Sequence, residues 1–276
     1  MNCNNVYKAG LGLALIMGLT LATPAANAQL EASADALNVN LVGILVGSAP
    51  DYMGSSDNTA VAGPIIRYQF EGSQRYFQWL GPKMTLNLID DSAWRAGPLL
   101  NFRGKRDSSD VKNDVVGQMQ TIDATVEAGV FLQYNLKLSE QKMHQLVFSG
   151  DVAGSDNGTV GNLRVVYYQP ITESITGLIG IGMTFANDEW VQTYYGISGS
   201  DIRLFPSLGG QAYNPSGGAI GVNVPFGAIW TLNKEWMVLG LGRYEKLQGD
   251  AKDSPIVSQQ GDSNQWVFAV GIAYRF

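Results

Sequence analysis

Few side chains in this chain could do chemistry, and the first candidate is its single histidine. His144 stands in the sequence Lys142-Met143-His144-Gln145. An imidazole serves as a general base for a nucleophile only where a carboxylate orients it. No pattern in the sequence places such partners beside His144. We therefore interpret it as an exposed residue where a strand begins, and we predict no catalytic residue.

Metal and cofactor sites have equally little support. The only cysteine is Cys3, so no cluster of cysteine and histidine offers the donors that zinc prefers. Six aspartates in polar segments carry oxygen atoms of the kind that calcium binds. They are Asp51, Asp57, Asp107, Asp110, Asp114 and Asp201. Because the Asp-x-Asp-x-Asp-Gly spacing is missing, we predict solvated acidic loops, no metal, no cofactor and no enzymatic activity.

The pattern that surrounds these residues is one of long alternating strands. At the C-terminus, large apolar side chains occupy every second position: Trp266, Phe268, Val270, Ile272, Tyr274 and Phe276. Successive side chains of a strand point to opposite faces, so this set forms one apolar face. Another run predicts Ile220, Val222 and Phe226 on a shared face. Membrane-crossing strands of about 9–11 residues suit such runs better than the shorter strands of soluble sandwiches.

The sequence predicts twelve strands joined by connections of two kinds. The strands lie near 39–48, 60–70, 75–80, 83–89, 93–103, 121–137, 143–153, 160–169, 174–186, 217–232, 235–247 and 264–276. Connections after even-numbered strands are short, whereas most of the others are long and polar. This arrangement is typical of an all-β, transmembrane antiparallel up-and-down β-barrel with short periplasmic turns and long extracellular loops; the count allows about 10 to 14 strands.

One alternative within this barrel stays open. Gly81-Pro82 forms either a tight turn between two short strands or a bulge within one long strand. In the second case, the segment from Trp190 to Tyr195 supplies the missing strand.

The N-terminal residues indicate export. Lys8 precedes an apolar run from Ala9 to Ala22, and Ala26-Asn27-Ala28 follows as a small-x-small cleavage site. We therefore predict a signal peptide at 1–28 and an outer-membrane barrel at 29–276. The net charge of −6 argues against nucleic acid as a partner, because phosphate binding requires a basic surface.

Alternation also places charged side chains inside the predicted barrel. The inward set comprises Arg67, Arg95, Arg103, Glu127, Asp151 and Arg164. Both signs are present, so the set fits a charge-lined pore or a lumen closed by cross-strand ion pairs. A barrel of about 12 strands has little interior room, and we favour the closed lumen.

Several segments resemble motifs of one family. They are Ala49-Pro50-Asp51-Tyr52-Met53-Gly54-Ser55-Ser56-Asp57, Gly97-Pro98-Leu99-Leu100, Gly104-Lys105-Arg106-Asp107, Ile122-Asp123-Ala124-Thr125-Val126-Glu127-Ala128-Gly129, Tyr194-Tyr195-Gly196-Ile197-Ser198 and Leu247-Gln248-Gly249-Asp250-Ala251-Lys252-Asp253-Ser254-Pro255-Ile256-Val257. In order, they resemble segments of the MipA/OmpV family of outer-membrane proteins. The resemblance implies a Gram-negative outer-membrane β-barrel, and the family namesake interacts with a murein-degrading lytic transglycosylase and a murein synthase. No catalytic residues are described for the family, so none is transferred.

These observations lead to one preferred function and two alternatives. The preferred hypothesis is a non-enzymatic scaffold that links a murein lytic transglycosylase and a murein synthase at the cell outer membrane. The alternatives are a porin-like channel and a surface adhesin acting through the loops at 104–120 and 187–216. Outer-membrane lipid and lipopolysaccharide are expected to surround the barrel. The strand that ends at Phe276 is expected to engage the barrel assembly machinery.

Overall fold

The computed structural model describes residues 39–141 and 143–276, so the predicted signal peptide lies outside the described residues. Within these ranges there are twelve strands: β1 (Leu41–Pro50), β2 (Asn58–Gln69), β3 (Tyr76–Leu80), β4 (Lys83–Asn87), β5 (Trp94–Arg103), β6 (Thr125–Lys137), β7 (Gln145–Ser155), β8 (Gly158–Pro170), β9 (Ile175–Ala186), β10 (Gly218–Thr231), β11 (Trp236–Leu247) and β12 (Asn264–Arg275). Neighbouring strands pair antiparallel, and β1 pairs with β12 to close the barrel. The predicted fold class is confirmed.

The outer surface of the barrel is apolar, as the alternation predicts. In β12, Trp266, Phe268 and Val270 are 44%, 48% and 58% exposed. Val267 and Ala269, which point inward, are only 2% and 4% exposed. The exposed large apolar side chains of β12 suit contact with lipid, and its buried inner face suits packed protein.

A β-bulge in β10 changes the direction of one predicted side chain. The pairing of β10 with β9 shifts between Ala219 and Gly221. Because a bulge inserts one residue, the alternation is interrupted there. The prediction that Ile220 shares a face with Val222 and Phe226 is therefore wrong: Ile220 points inward and is 4% exposed.

Gly81-Pro82 is a turn, and β3 and β4 on either side of it are five residues each. Gly81 adopts φ +56°, a left-handed conformation that glycine accepts without strain. The alternative of a bulge in one long strand is therefore wrong. Its proposed replacement strand at Trp190–Tyr195 is also wrong, because those residues belong to a helix, α1 (Asp188–Tyr195).

Because β3 is short, it pairs with β2 only from Ile65 to Gln69, and the first half of β2 has no paired strand on that side. The backbone N–H and C=O groups of the odd-numbered β2 residues form hydrogen bonds with β1. Just beyond the end of β2, Asp51 N donates to Asp57 O at 3.1 Å, and the same alternation continues along the strand pair. Even-numbered residues face β3, where Gly81 N donates to Pro64 O at 2.9 Å. Since β3 ends at Leu80, the N–H of Ala62 points toward this open edge.

This edge leads to a prediction with proline. Ala62→Pro removes an N–H that has no ladder partner, so we expect the free energy of unfolding to fall by less than about 1 kcal/mol. Val61→Pro removes a ladder bond to Gly47 of β1, and we expect a loss of about 2–3 kcal/mol. Urea unfolding in lipid vesicles, followed by tryptophan fluorescence, measures both. Equal losses would contradict the assigned direction of the two N–H groups.

The two rims of the barrel differ. The short-turn rim holds the five connections after even-numbered strands; the long-loop rim holds the others, of which only 81–82 and 156–157 are short. Loops of the long-loop rim contain α1, α2 (Gly249–Asp253), α3 (Pro255–Ser258) and three short 3-10 helices. We call these folded loops the cap. Among the described residues, no helix is long and apolar enough to cross a membrane.

Candidate functional site

The lumen is filled from one rim to the other, beginning with an apolar cluster near the short-turn rim. Fourteen buried side chains form this cluster, each at most 6% exposed: Leu41, Leu45, Ile65, Leu80, Val147, Val166, Tyr168, Leu178, Ile229, Met237, Leu239, Leu241, Ala269 and Ala273. Beside it, Arg67 donates to Gln78 at 3.0 Å and lies 3.6 Å from the centre of the Tyr76 ring. This half of the barrel is therefore a packed core.

Nearer the long-loop rim the lumen is polar, and Glu127 is its centre. The carboxylate is fully buried and accepts two hydrogen bonds from Arg103, at 2.8 and 2.9 Å. Asn101 donates to it at 2.7 Å, and the indole N–H of Trp190 donates at 3.2 Å. Four donors compensate for the loss of hydration that burial of the charge causes.

Two further ion pairs complete this polar layer. Lys83 Nζ lies 3.0 Å from Asp151 Oδ2, and Asn162 donates to the other oxygen of Asp151 at 3.0 Å. Arg243 Nη2 lies 3.0 Å from Glu245 Oε2. Each of the three carboxylates in this layer thus pairs with a basic side chain, which offsets part of the cost of burying the charges.

Two cavities that lie among the described lumen residues are small. One cavity of about 70 Å³ lies among Lys83, Arg103, Glu127 and Arg243. A second, of about 20 Å³, lies beside Arg164. A water molecule needs about 10–15 Å³ measured in this way, so the cavities have room for only a few waters. The described side chains thus close the lumen, in agreement with the closed interpretation.

The six predicted inward charges all face the lumen. Arg67, Arg95, Arg103, Arg164 and Glu127 are at most 6% exposed, and the Asp151 side chain is 10% exposed. The sequence interpretation missed Lys83, Arg243 and Glu245. A signal for the last two was available, because they continue the inward row that begins at Met237 in β11. Lys83 was missed because it directly follows Gly81-Pro82, where the sequence left open whether the chain turns or continues as one strand.

The cap seals the polar layer from above through α1. Asn187 caps this helix by accepting a hydrogen bond from Trp190 N. The Arg103 guanidinium lies 5.1 Å from the Trp190 ring and 5.3 Å from the Tyr194 ring, within the range of cation–π attraction. Burial in the cap lowers the pKa of Arg106 to about 10, although the nearby Asp201 carboxylate raises it. Arg106 donates to the Tyr194 carbonyl at 3.2 Å.

His144 lies at the short-turn rim, as predicted, but it is half-buried rather than exposed. Its Nδ1 is 2.7 Å from Ser139 Oγ, and its Nε2 is 3.2 Å from the Tyr167 hydroxyl. The sequence interpretation missed both partners. Ser139 belongs to the same turn as His144, and Tyr167 belongs to the neighbouring strand β8. Neither ring nitrogen is oriented by a carboxylate in these contacts, so the arrangement lacks the acidic member of a catalytic triad.

The six loop aspartates do not converge. Asp51 accepts a hydrogen bond from Lys112 N at 2.9 Å, and Asp201 accepts from Gln120 N at 3.1 Å. Asp107 pairs with Lys105. Within residues 39–141 and 143–276, no group of three or more metal-ligating side chains comes together. The prediction of solvated acidic loops is therefore wrong for two of them: Asp51 is fully buried and Asp201 is 6% exposed, because both accept backbone N–H groups inside the cap.

A closed antiparallel barrel with an apolar exterior, a filled lumen and rims of unequal loops defines an outer-membrane β-barrel. The NanC porin has a similar fold, with a TM-score of 0.50 at 7% identity over 85% of this chain and all of that one. At this identity the likeness concerns the fold alone.

The chain belongs to the MltA-interacting protein MipA family, whose profile matches residues 42–276. The MltA-interacting proteins of Escherichia coli K12 and Shigella flexneri are each 24% identical over 268 residues. Those alignments cover 95% of this chain and 98% of each relative. The resemblance seen in the sequence segments is thereby confirmed.

Proposed function

We propose that this protein is a non-enzymatic outer-membrane scaffold that binds a murein lytic transglycosylase of the MltA type and a murein synthase. Membership of the MltA-interacting family over nearly the whole described chain carries this proposal. The proposal includes export by a cleaved signal peptide at 1–28. It also includes a periplasmic short-turn rim, because outer-membrane barrels keep their short turns on that side.

The filled lumen supports a scaffold more than a channel. Among the described residues, the apolar cluster and the ion pairs occupy the space between the rims, and the two cavities described there are small. The cap also gives little support to an adhesin that binds through apolar contacts. None of the large hydrophobic side chains exposed among the described residues belongs to its loops.

The direct test is binding of purified MltA to the detergent-solubilised barrel. We expect a saturable complex that an unrelated barrel in the same detergent does not form. Adding the murein synthase should then yield a ternary complex in size-exclusion chromatography. If MltA is recovered no better with this barrel than with the unrelated one, the scaffold proposal is wrong.

A further inference from the structure

The short-turn rim carries a ring of carboxylates. Each of its five turns has at least one exposed acidic side chain: Glu71, Asp90 and Asp91, Glu140, Glu173, and Glu235. The same rim carries four described basic side chains: Arg75, Lys137, Lys234 and Arg275. The described part of this surface is therefore acidic.

The turns use some of these charges internally and leave others available. Asp91 accepts hydrogen bonds from the N–H groups of Ala93 and Trp94, and those of Trp94 and then Ala93 lower its pKa. Asp90 accepts from Gln74 N in the same manner. Both aspartates thus help to build their turns.

Four other carboxylates of this rim accept no such hydrogen bond within their turns. Glu71, Glu140, Glu173 and Glu235 make no side-chain hydrogen bond or ion pair with another described residue. Two of the basic side chains form hydrogen bonds with backbone carbonyls: Arg75 donates to Leu88 O, and Arg275 donates to Lys234 O. These bonds hold the two arginines in place without neutralising their charge, so the described charges of the rim are six carboxylates against four basic groups.

An apolar ring lies next to the carboxylates, where the lipid-facing rows of the strands end. Its members continue the lipid-facing rows of the strands and are 41–64% exposed: Phe70, Leu88, Leu138, Ile171, Leu232 and Phe276. Because each turn contributes only a few residues beyond this ring, we expect the rim to lie close to the membrane surface. A partner must therefore contact several turns together.

The size of the rim matches what a stable complex needs. Twelve strands about 4.8 Å apart and tilted by about 40° give a wall radius of about 12 Å. With side chains, the end of the barrel covers about 800 Å², close to the area that each partner contributes to a standard interface. Any single turn supplies only a fraction of that area.

We propose that the carboxylate ring of the short-turn rim is the docking surface for a basic face of MltA. This inference rests on the proposed scaffold function and adds the location and chemistry of the contact. The occupant is a protein with clustered lysine and arginine, because free carboxylates are complementary to such a face and repel anionic lipid headgroups. Docking is shared among turns on opposite sides of the barrel.

The test reverses the four free charges together, as Glu71→Lys, Glu140→Lys, Glu173→Lys and Glu235→Lys. A matched control reverses four exposed acids of the long-loop rim: Asp114, Asp123, Asp156 and Asp253. Both variants change the net charge equally. Heat-modified electrophoretic mobility and circular dichroism establish that each barrel is folded.

Purified MltA is the probe, and its dissociation constant is measured at several salt concentrations. We expect the short-turn variant to bind at least tenfold more weakly with a shallower salt dependence, and the control to stay within twofold of wild type. If MltA binds all three proteins alike, the docking surface is wrong while the scaffold stands. If MltA does not bind the wild-type barrel, the scaffold and this inference fail together.

Should the four-residue variant fail to fold, Glu71→Lys/Glu173→Lys and Glu140→Lys/Glu235→Lys are measured separately. Each pair is expected to weaken binding at least threefold, because both halves of the rim contribute. Unchanged affinity in both pairs would overturn the proposed surface.

Discussion

Replacing Arg103 with methionine is expected to lower the free energy of unfolding by about 3–5 kcal/mol, because it leaves the buried Glu127 carboxylate without its charged partner. The variant removes two hydrogen bonds of 2.8 and 2.9 Å. It also removes the cation–π contacts that join the barrel wall to Trp190 and Tyr194. Asn101 and Trp190 alone cannot replace the lost charge. Urea unfolding in lipid vesicles gives the free energy.

Two controls separate the buried charge from simpler effects. Arg103→Met/Glu127→Gln removes both charges, and we expect it to recover at least half of the loss, since an uncharged pair no longer carries an uncompensated buried ion. Lys105→Met removes an ion pair whose lysine is 45% exposed, and we expect a change below about 1 kcal/mol. A double variant as unstable as Arg103→Met would show that packing, rather than charge, dominates at this position.

The barrel wall was predictable because lipid imposes a simple constraint on it. Every membrane-crossing strand must alternate between a lipid face and a lumen face, and a run such as Trp266–Phe276 shows that alternation directly. The short connections then fix the strand order. The same logic placed Arg103 and Glu127 in the lumen. It could not pair them, because their contact depends on the register between β5 and β6.

The cap was less predictable, because its loops lack a simple period. Residues 190–195 are rich in aromatic and β-branched types, which favoured a strand as the fallback interpretation. The decisive signal lies just before them. Asn187 is a good N-cap, and Asp188 and Glu189 place negative charge in the first helical turn. The bulge near Ile220 left no comparable signal, because one extra residue becomes visible only against the partner strand.

The structure joins a filled barrel to two very different rims, and this combination separates stability from binding. Ion pairs and the apolar cluster occupy the lumen, so the interior is committed to holding the barrel together. The cap adds its own cluster around Tyr52, Val116 and Phe205 above the long-loop rim. The proposed scaffold would therefore bind its partners through its surfaces.

Planar lipid bilayers should therefore record no well-defined large channel from the pure protein. Replacing the loop at 187–217 with a short glycine–serine linker removes α1 and exposes the polar layer. We still expect baseline conductance, because the apolar cluster of side chains at most 6% exposed remains below it. Ions entering that half would lose their hydration without gaining polar partners.

The NanC porin, recorded under the same conditions, serves as the positive control. Stepwise conductance from the loop-replaced variant alone would mean that the cap, rather than the apolar cluster, closes the lumen. Stepwise conductance from the wild-type protein would contradict the closed lumen itself and favour the channel alternative. Baseline records from both proteins, with intact barrels shown by electrophoretic mobility, would place the barrier in the apolar cluster near Leu239 and Tyr168.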